Sequence, residues 1–304
     1  MKRLLDCTAT DFFKMDGKEL KHSILASEGR VIVSEVITSV SPLYPSVSNP
    51  ELAAAFGADL LLLNGFDVYS PSIQGLGEEG DSVVGRLKHL IGRPIGVNLE
   101  PVDPTVSSVE TLTTLPEGRI ATDRSLNQVK RLGFDFVCLT GNPKTGVSNE
   151  AIIQAISQAR NILGENGLII AGKMHGAGVV NETGSEIVST KIIDSFIAAG
   201  ADVIILPAPG TVPGITVEKV QHWVNFAHQK KSLVMLTIGT SQEGADEQTI
   251  RQIALMGKMT GADIFHIGDA GFHGIAVPEN IMTYSIAIRG KRHTFIRMAS
   301  SPLR

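Results

Sequence analysis

Five residues of the chain have the types and placement to move protons at carbon: Glu35, Glu100, Lys173, His175 and His266. Each stands at or near the carboxyl end of a short apolar run: RVIVSEV (30–36), PIGVNLE (94–100), LIIAGKMH (168–175) and DIFHIGD (263–269). A charge inside such a run is costly unless it is partnered or used. A carboxylate there can abstract a proton beside a carbonyl. A lysine can stabilise the resulting enolate oxygen, form a Schiff base or hold a phosphate, and a histidine can return the proton. Glu35, Glu100 and His175, joined by Asp269 if the end of its run turns inward, could also ligate Mg2+ or Mn2+, although no HxH or HExxH spacing sharpens that set. The plain alternative is a structural ion pair of Lys173 with Glu35 or Glu100.

The elements that would position these groups repeat along the chain. Gly57-Ala58-Asp59, Gly133-Phe134-Asp135, Gly200-Ala201-Asp202 and Gly261-Ala262-Asp263 each follow a helix-like stretch and precede an apolar run. Glycine suits the left-handed end of a helix, and a short apolar run suits a parallel strand buried on both faces. Four further runs, 30–36, 94–100, 168–175 and 233–239, interleave with these, so eight strands are expected, each followed by a helix candidate such as 49–57, 149–164, 184–200, 216–229 or 246–261. This arithmetic predicts an α/β protein, a single-domain (β/α)8 TIM barrel over 30–290, rather than an open doubly wound sheet, since no glycine-rich dinucleotide fingerprint follows the first strand. Residues 1–28 read as an N-terminal helical extension, with 17–29 able to plug the barrel bottom, and 291–304 as a C-terminal tail. The loops 67–82 and 101–121 are long and fall at the catalytic end.

Strand side chains alternate, and in a barrel the inward set at the carboxyl ends lines the active site. One parity per strand gathers Glu35; Asn64; Asn98 and Glu100; Thr140 and Asn142; Lys173 and His175; Thr237; and His266. Asn64, Asn98, Thr140, Asn142 and Thr237 are therefore the expected substrate-binding groups. The loops after strands seven and eight carry Gly239, Thr240, Ser241, Gly268 and Gly271. Their glycines and hydroxyls resemble the phosphate site of phosphate-binding TIM barrels, which implies a phosphorylated substrate. Asp269 departs from that pattern, because a carboxylate repels a phosphate.

As a whole the chain resembles an uncharacterised bacterial family of barrels of about 300 residues, which implies a fold and no reaction. NPELAAAFGADLLLLNG (49–65) is similar in cadence to the phosphoenolpyruvate mutase and isocitrate lyase superfamily, but GVNLEP stands where that family has its acidic magnesium motif. The expected activity is a lyase, aldolase or isomerase acting on a small phosphorylated carbonyl or sugar compound. A non-catalytic metabolite-binding barrel is one alternative. Another is a phosphatase like the haloacid dehalogenases: LLDCTAT (4–10) resembles that superfamily's first motif with Asp6 as nucleophile, and FHIGDAGFHG (265–274) its last, although Thr8 replaces the second aspartate.

Composition narrows the partners. The net charge is -4, and the cluster Arg289, Lys291, Arg292 reads as a solvated helix terminus, so no nucleic-acid stripe is expected. Cys7 and Cys138 form no CxxC pair. The charged start excludes a signal-peptide core and no apolar run reaches about 18 residues, so no membrane association and a cytoplasmic location are expected. Small barrels commonly associate, which makes a homo-oligomer a candidate assembly.

Overall fold

The computed structural model describes residues 2–77, 79–107, 111–177, 179–180 and 187–304. Eight parallel strands close into a barrel in chain order: β1 (Val31–Ile37), β2 (Leu60–Asn64), β3 (Ile95–Leu99), β4 (Phe136–Leu139), β5 (Leu168–Gly172), β6 (Val203–Pro207), β7 (Leu233–Ile238) and β8 (Ile264–Ile267). Helices α1 (Ala9–Phe12) and α2 (Gly17–Leu25) precede β1. After the strands come α3 (Asn49–Ala55), α4 (Val83–Ile91), α5 (Asp123–Leu132), α6 (Asn149–Leu163), α7 (Thr190–Ala199), α8 (Val217–Gln229), α9 (Glu247–Met259) and α10 (Pro278–Met298). The protein is a (β/α)8 barrel. The helix expected over 184–200 begins at Thr190, and its residues 184–186 lie outside the described ones, as do 78 and 108–110 of the two long loops. No described helix is long and apolar enough to cross a membrane.

The Gly-x-Asp repeat has a common structural task. Asp59, Asp135, Asp202 and Asp263 accept, through their carboxylates, the backbone N–H of Ile32, Ile95, Ile169 and Val234 at 2.9, 2.7, 3.0 and 2.8 Å. Their own N–H groups donate to the carbonyls of the same four residues at 2.9 to 3.0 Å. Each aspartate thus clamps the start of an odd-numbered strand to the even strand that follows. Each also has a cation: Arg289 and Arg297 for Asp59, Lys88 for Asp135, Arg160 and Lys21 for Asp202, and His228 for Asp263. The glycine two places before each of these aspartates has the positive φ that suits a helix end, 104° at Gly57, 77° at Gly133, 114° at Gly200 and 85° at Gly261.

Inside the barrel, Val31, Val33, Leu60, Leu62, Phe136, Cys138, Leu168, Ile170, Val203, Ile205, Met235 and Ile264 form one cluster. Gly96 is required here, since a Cβ would lie 2.0 Å from the Phe136 ring. Leu4, Cys7, Phe12, Leu20 and Ile24 belong to the same cluster, so the N-terminal extension closes the amino end of the barrel.

The C-terminal segment differs from expectation. α10 runs on to Met298 across a break at Gly290 (φ 78°), which returns Arg297 to the barrel. Arg289 is not a solvated terminus: it is 6% exposed and bonds Asp59 at 2.5 Å and the Gly57 carbonyl. Burial alone would raise the Asp59 carboxyl, but Arg289 and Arg297 hold it below the usual range.

Candidate active site

The carboxyl ends of the strands bring together most of the polar residues that alternation selects. Strand registers set Val33 beside His266, Asn98 beside Cys138 and Thr237 beside His266, which gives the inward parity of β1, β3, β4, β7 and β8. At this level Nε2 of His266 lies 3.0 Å from Oε2 of Glu35, both side chains buried. His266 is therefore paired rather than a lone core histidine. Burial, reinforced by the negative charges of Glu243 and Glu100, pushes Glu35 up to about 8. Burial pulls His266 down to about 4. Both shifts favour the neutral forms at neutral pH, so the contact is a hydrogen bond between an uncharged carboxyl and an uncharged ring. Nδ1 of His266 is buried, with no partner among the described residues.

A chain of hydrogen bonds crosses the same end. Glu100 accepts from Arg119 at 2.9 Å, from the Asn142 side chain at 2.8 Å and from the Asn142 backbone at 2.8 Å. Asn142 and Asn64 exchange amide bonds at 2.7 and 2.9 Å, and Asn64 donates to Asp269 at 2.8 Å. Asn98 donates to Asn64 at 3.4 Å and accepts from the Thr140 backbone at 3.3 Å, which leaves the buried Thr140 hydroxyl without a partner among the described residues. Glu100 is thus saturated and serves as an anchor, whereas Glu35 has a single described partner. Thr237 spends its hydroxyl proton on the Leu206 carbonyl at 3.1 Å.

Alternation along β5 runs in the even-numbered phase. Leu168 and Ile170 are the inward residues, Ala171 packs in the outer core, and past Gly172 it is Met174 that joins the interior cluster and meets Gly239. The phase that aimed Lys173 and His175 inward is therefore the wrong one of the two, because it put Ala171 rather than Ile170 in the interior. Lys173 is nonetheless buried at 1% exposure beside His175. Burial and the Lys173 charge draw His175 down to about 4. Nδ1 of His175 accepts the Ala177 N–H at 3.1 Å, so the proton of the neutral ring sits on Nε2.

The loops after β7 and β8 use their glycines for packing. A Cβ at Gly239 would lie 2.2 Å from the Met174 sulfur, and one at Gly271 would lie 2.7 Å from the backbone of Ala276. The Gly268 N–H donates to the Ile238 carbonyl at 2.8 Å. Thr240 bonds the Thr211 carbonyl and Gln242, and Ser241 takes φ 79° at the start of a 3-10 turn, Gln242–Gly244. The Ala270 N–H donates to Glu243 at 3.1 Å. Protein groups, including a carboxylate, thus occupy amides and a hydroxyl that the phosphate expectation assigned to a ligand.

Glu243 escaped the sequence reading. It is 1% exposed, shifted upward by burial, and its Oε2 has no partner among the described residues. Asp269 is pushed up to about 7 by burial and by Glu35, against the Asn64 hydrogen bond. Among the described residues no three His, Cys, Asp or Glu side chains are placed to hold a metal ion, so Glu35, Glu100, His175 and Asp269 do not form the ligand set anticipated. Asp6 lies in the N-terminal plug, paired with Arg3 at 2.7 Å, at the opposite end of the barrel from Asp269. The two halves of the dehalogenase-like resemblance therefore never meet. A cavity of about 570 Å³ opens on that amino end, lined by Lys21, Asp202, His228 and Asp263. Two of its acids, Asp202 and Asp263, are strand clamps already matched to basic partners, and Glu165 also lines it, whereas the buried atoms Glu243 Oε2, His266 Nδ1 and Thr140 Oγ1, unpartnered among the described residues, are at the carboxyl end. The groups free to act on a ligand are therefore at the carboxyl end.

The fold and this constellation define a (β/α)8 barrel with a polar carboxyl face. The chain belongs to the family described as a domain of unknown function, DUF7916, whose model matches residues 5–304. No curated protein matches it. Among solved structures, the chain is similar to the carboxyl transferase domain of Rhizobium etli pyruvate carboxylase with pyruvate, at 12% identity and TM-score 0.52, covering 98% of this chain and 52% of that one. It therefore spans about half of that protein's chain. It is also similar to the thiamine phosphate pyrophosphorylase from Pyrococcus furiosus, at 14% identity and TM-score 0.48, covering 86% and 97%. At such identities the likeness is one of fold.

Proposed function

We propose that the protein is an enzyme that moves a proton beside the carbonyl group of a small substrate, in a lyase, aldolase or isomerase reaction. The observation that carries this is the buried Glu35–His266 pair at 3.0 Å. A carboxyl raised to about 8 is a stronger base than an ordinary glutamate yet is still ionised in about a tenth of molecules at pH 7. Glu35 takes the carbon-bound proton, and His266 shares it and returns it. Asn64, Asn98, Asn142 and Thr140 orient the substrate. A phosphoryl group is not part of the proposal, because Glu243 and Asp269 stand at the loops that would receive it.

The test does not require the substrate to be identified first. The protein is incubated in deuterated water with a panel of small ketones, hydroxyketones, keto acids and sugars, and exchange at the carbon next to the carbonyl is followed by proton NMR. Exchange catalysed by the wild type and lost in Glu35→Gln is expected. Equal exchange by both proteins would remove Glu35 from the reaction.

A further inference from the structure

We propose that Glu243 and Asp269 hold a protonated amine of the substrate, which makes the substrate class a small amino-carbonyl compound. The proposal rests on the proton-transfer role of the Glu35–His266 pair and adds what is bound beside it.

The two carboxyls arrive from adjacent loops, and the fold is built to present them. Asn280, at the start of α10 and 2% exposed, donates its side-chain amide to the carbonyls of Glu243 and Ala245 at 2.9 and 2.7 Å, which fixes the turn after β7. Gly268 leaves room for the glutamate: a Cβ there would lie 3.0 Å from Glu243 Oε1. Oε1 is bonded to the Ala270 N–H, next in chain to Asp269, and Oε2 is buried with no partner among the described residues. Asp269 is held by Asn64.

Elsewhere in this molecule buried carboxylates are neutralised. Asp59 has two arginines and Glu100 has Arg119. Among the described residues no lysine or arginine pairs with Glu35, Glu243 or Asp269. Within that set the site gathers three carboxyls without a fixed cation, which repels an anion and favours a positive ligand. An ammonium group offers three N–H donors. Glu243 Oε2, buried and unpartnered among the described residues, is an acceptor suited to such a donor.

Aminoacetone and hydroxyacetone are suitable probes, since they share a carbonyl and differ in the charged group. Binding to the full chain is measured by titration calorimetry between about pH 6 and about pH 7, where an amine of this kind stays mostly protonated. The groups that face the two carboxyls are Glu35 on β1 and His266 on β8; burial first, and Glu35 next, raise Asp269 to about 7. The cation binds the ionised carboxyls, so its affinity should rise about fivefold over this range as Asp269 ionises. Glu243→Gln and Asp269→Asn should each weaken the amine about tenfold and leave hydroxyacetone unaffected. Equal binding of the two probes, an affinity that rises toward acid pH, or an undiminished amine preference in both variants would overturn the proposal. Glu35-dependent exchange into hydroxyacetone with no amine preference would remove the amine and leave the proton-transfer role standing. Amine preference without exchange would do the reverse.

Discussion

Replacing Glu35 by glutamine should stabilise the protein while abolishing its chemistry. The carboxyl is 3% exposed and rises from the ordinary 4.5 to about 8 on folding. Below pH 4.5 both folded and unfolded chains hold the proton and the group costs nothing. Between 4.5 and 8 the unfolded chain ionises and the folded one does not, so the folded state binds more protons and stability falls as pH rises. At about 1.4 kcal/mol per pH unit the cost is about 3 kcal/mol at pH 7, approaching about 5 kcal/mol well above pH 8. Glutamine has nearly the same shape, cannot ionise, and offers His266 Nε2 an amide N–H in place of the carboxyl O–H. Glu35→Gln should therefore match the wild type near pH 4.5 and exceed it by a margin that widens with pH. Relief of Asp269, which Glu35 pushes upward, adds to the gain. Urea unfolding followed by circular dichroism at a series of pH values gives the margin directly. A variant less stable than wild type at pH 7, or a margin that does not change with pH, would refute the reasoning. Lost exchange activity together with raised stability is the pattern expected where a buried group is kept for chemistry rather than for folding.

Asp59→Asn should have the opposite outcome, a loss of about 3–5 kcal/mol in urea unfolding, because Arg289 and Arg297 would be left buried without their carboxylate. Gly96→Ala should cost about 1–3 kcal/mol, since the new Cβ meets the Phe136 ring; unchanged stability would mean that the inner layer is not packed as described. Inorganic phosphate should raise the thermal midpoint no more than sulfate at equal ionic strength. A specific phosphate shift of the size a saturating ligand produces, about 2.7 kcal/mol at 100 times its dissociation constant, would restore the loops at Gly239 and Gly268 as an anion site.

The barrel was legible because its signals are local. Gly-x-Asp followed by an apolar run carries a helix end, a strand clamp and a strand within a few residues, four times over. Glu35, Asn64, Asn98 and His266 were legible because an unbroken strand fixes direction by parity. The rest depended on contacts between residues far apart in the chain. At β5 the run LIIAGKMH is apolar on both faces at its start, so the sequence left the choice of phase open; the interior takes Leu168, Ile170 and Met174, and not Ala171 and Lys173. Glu243 sits in a loop whose direction is set by Asn280, 37 residues later. Arg289 reads as a surface basic residue until the break at Gly290 and the distant Asp59 give it a buried partner. Glycines after β7 and β8 suggested a phosphate loop, although their neighbours Met174, Ala276 and Glu243 account for them by close packing.

The two ends of the barrel treat buried charge in opposite ways, and the contrast carries functional weight. At the amino end every clamping aspartate has a cation, and Arg297 even reaches the carbonyls of Leu4 and Cys7 to tie in the plug. Such pairing fixes geometry and leaves little for a ligand to complete. At the carboxyl end the saturated side chains, Glu100 with Arg119 and the Asn64–Asn142 pair, form a frame. Inside it Glu35, Asp269 and Glu243 have no lysine or arginine partner among the described residues, and two of them are displaced to about 8 and about 7. Asp59 shows that this fold can match a buried acid with two arginines, and among the described residues these three have no such match. Carboxyls displaced toward neutral pH suit the proposed proton transfer, and a positive charge is what the proposed amine of the substrate would supply.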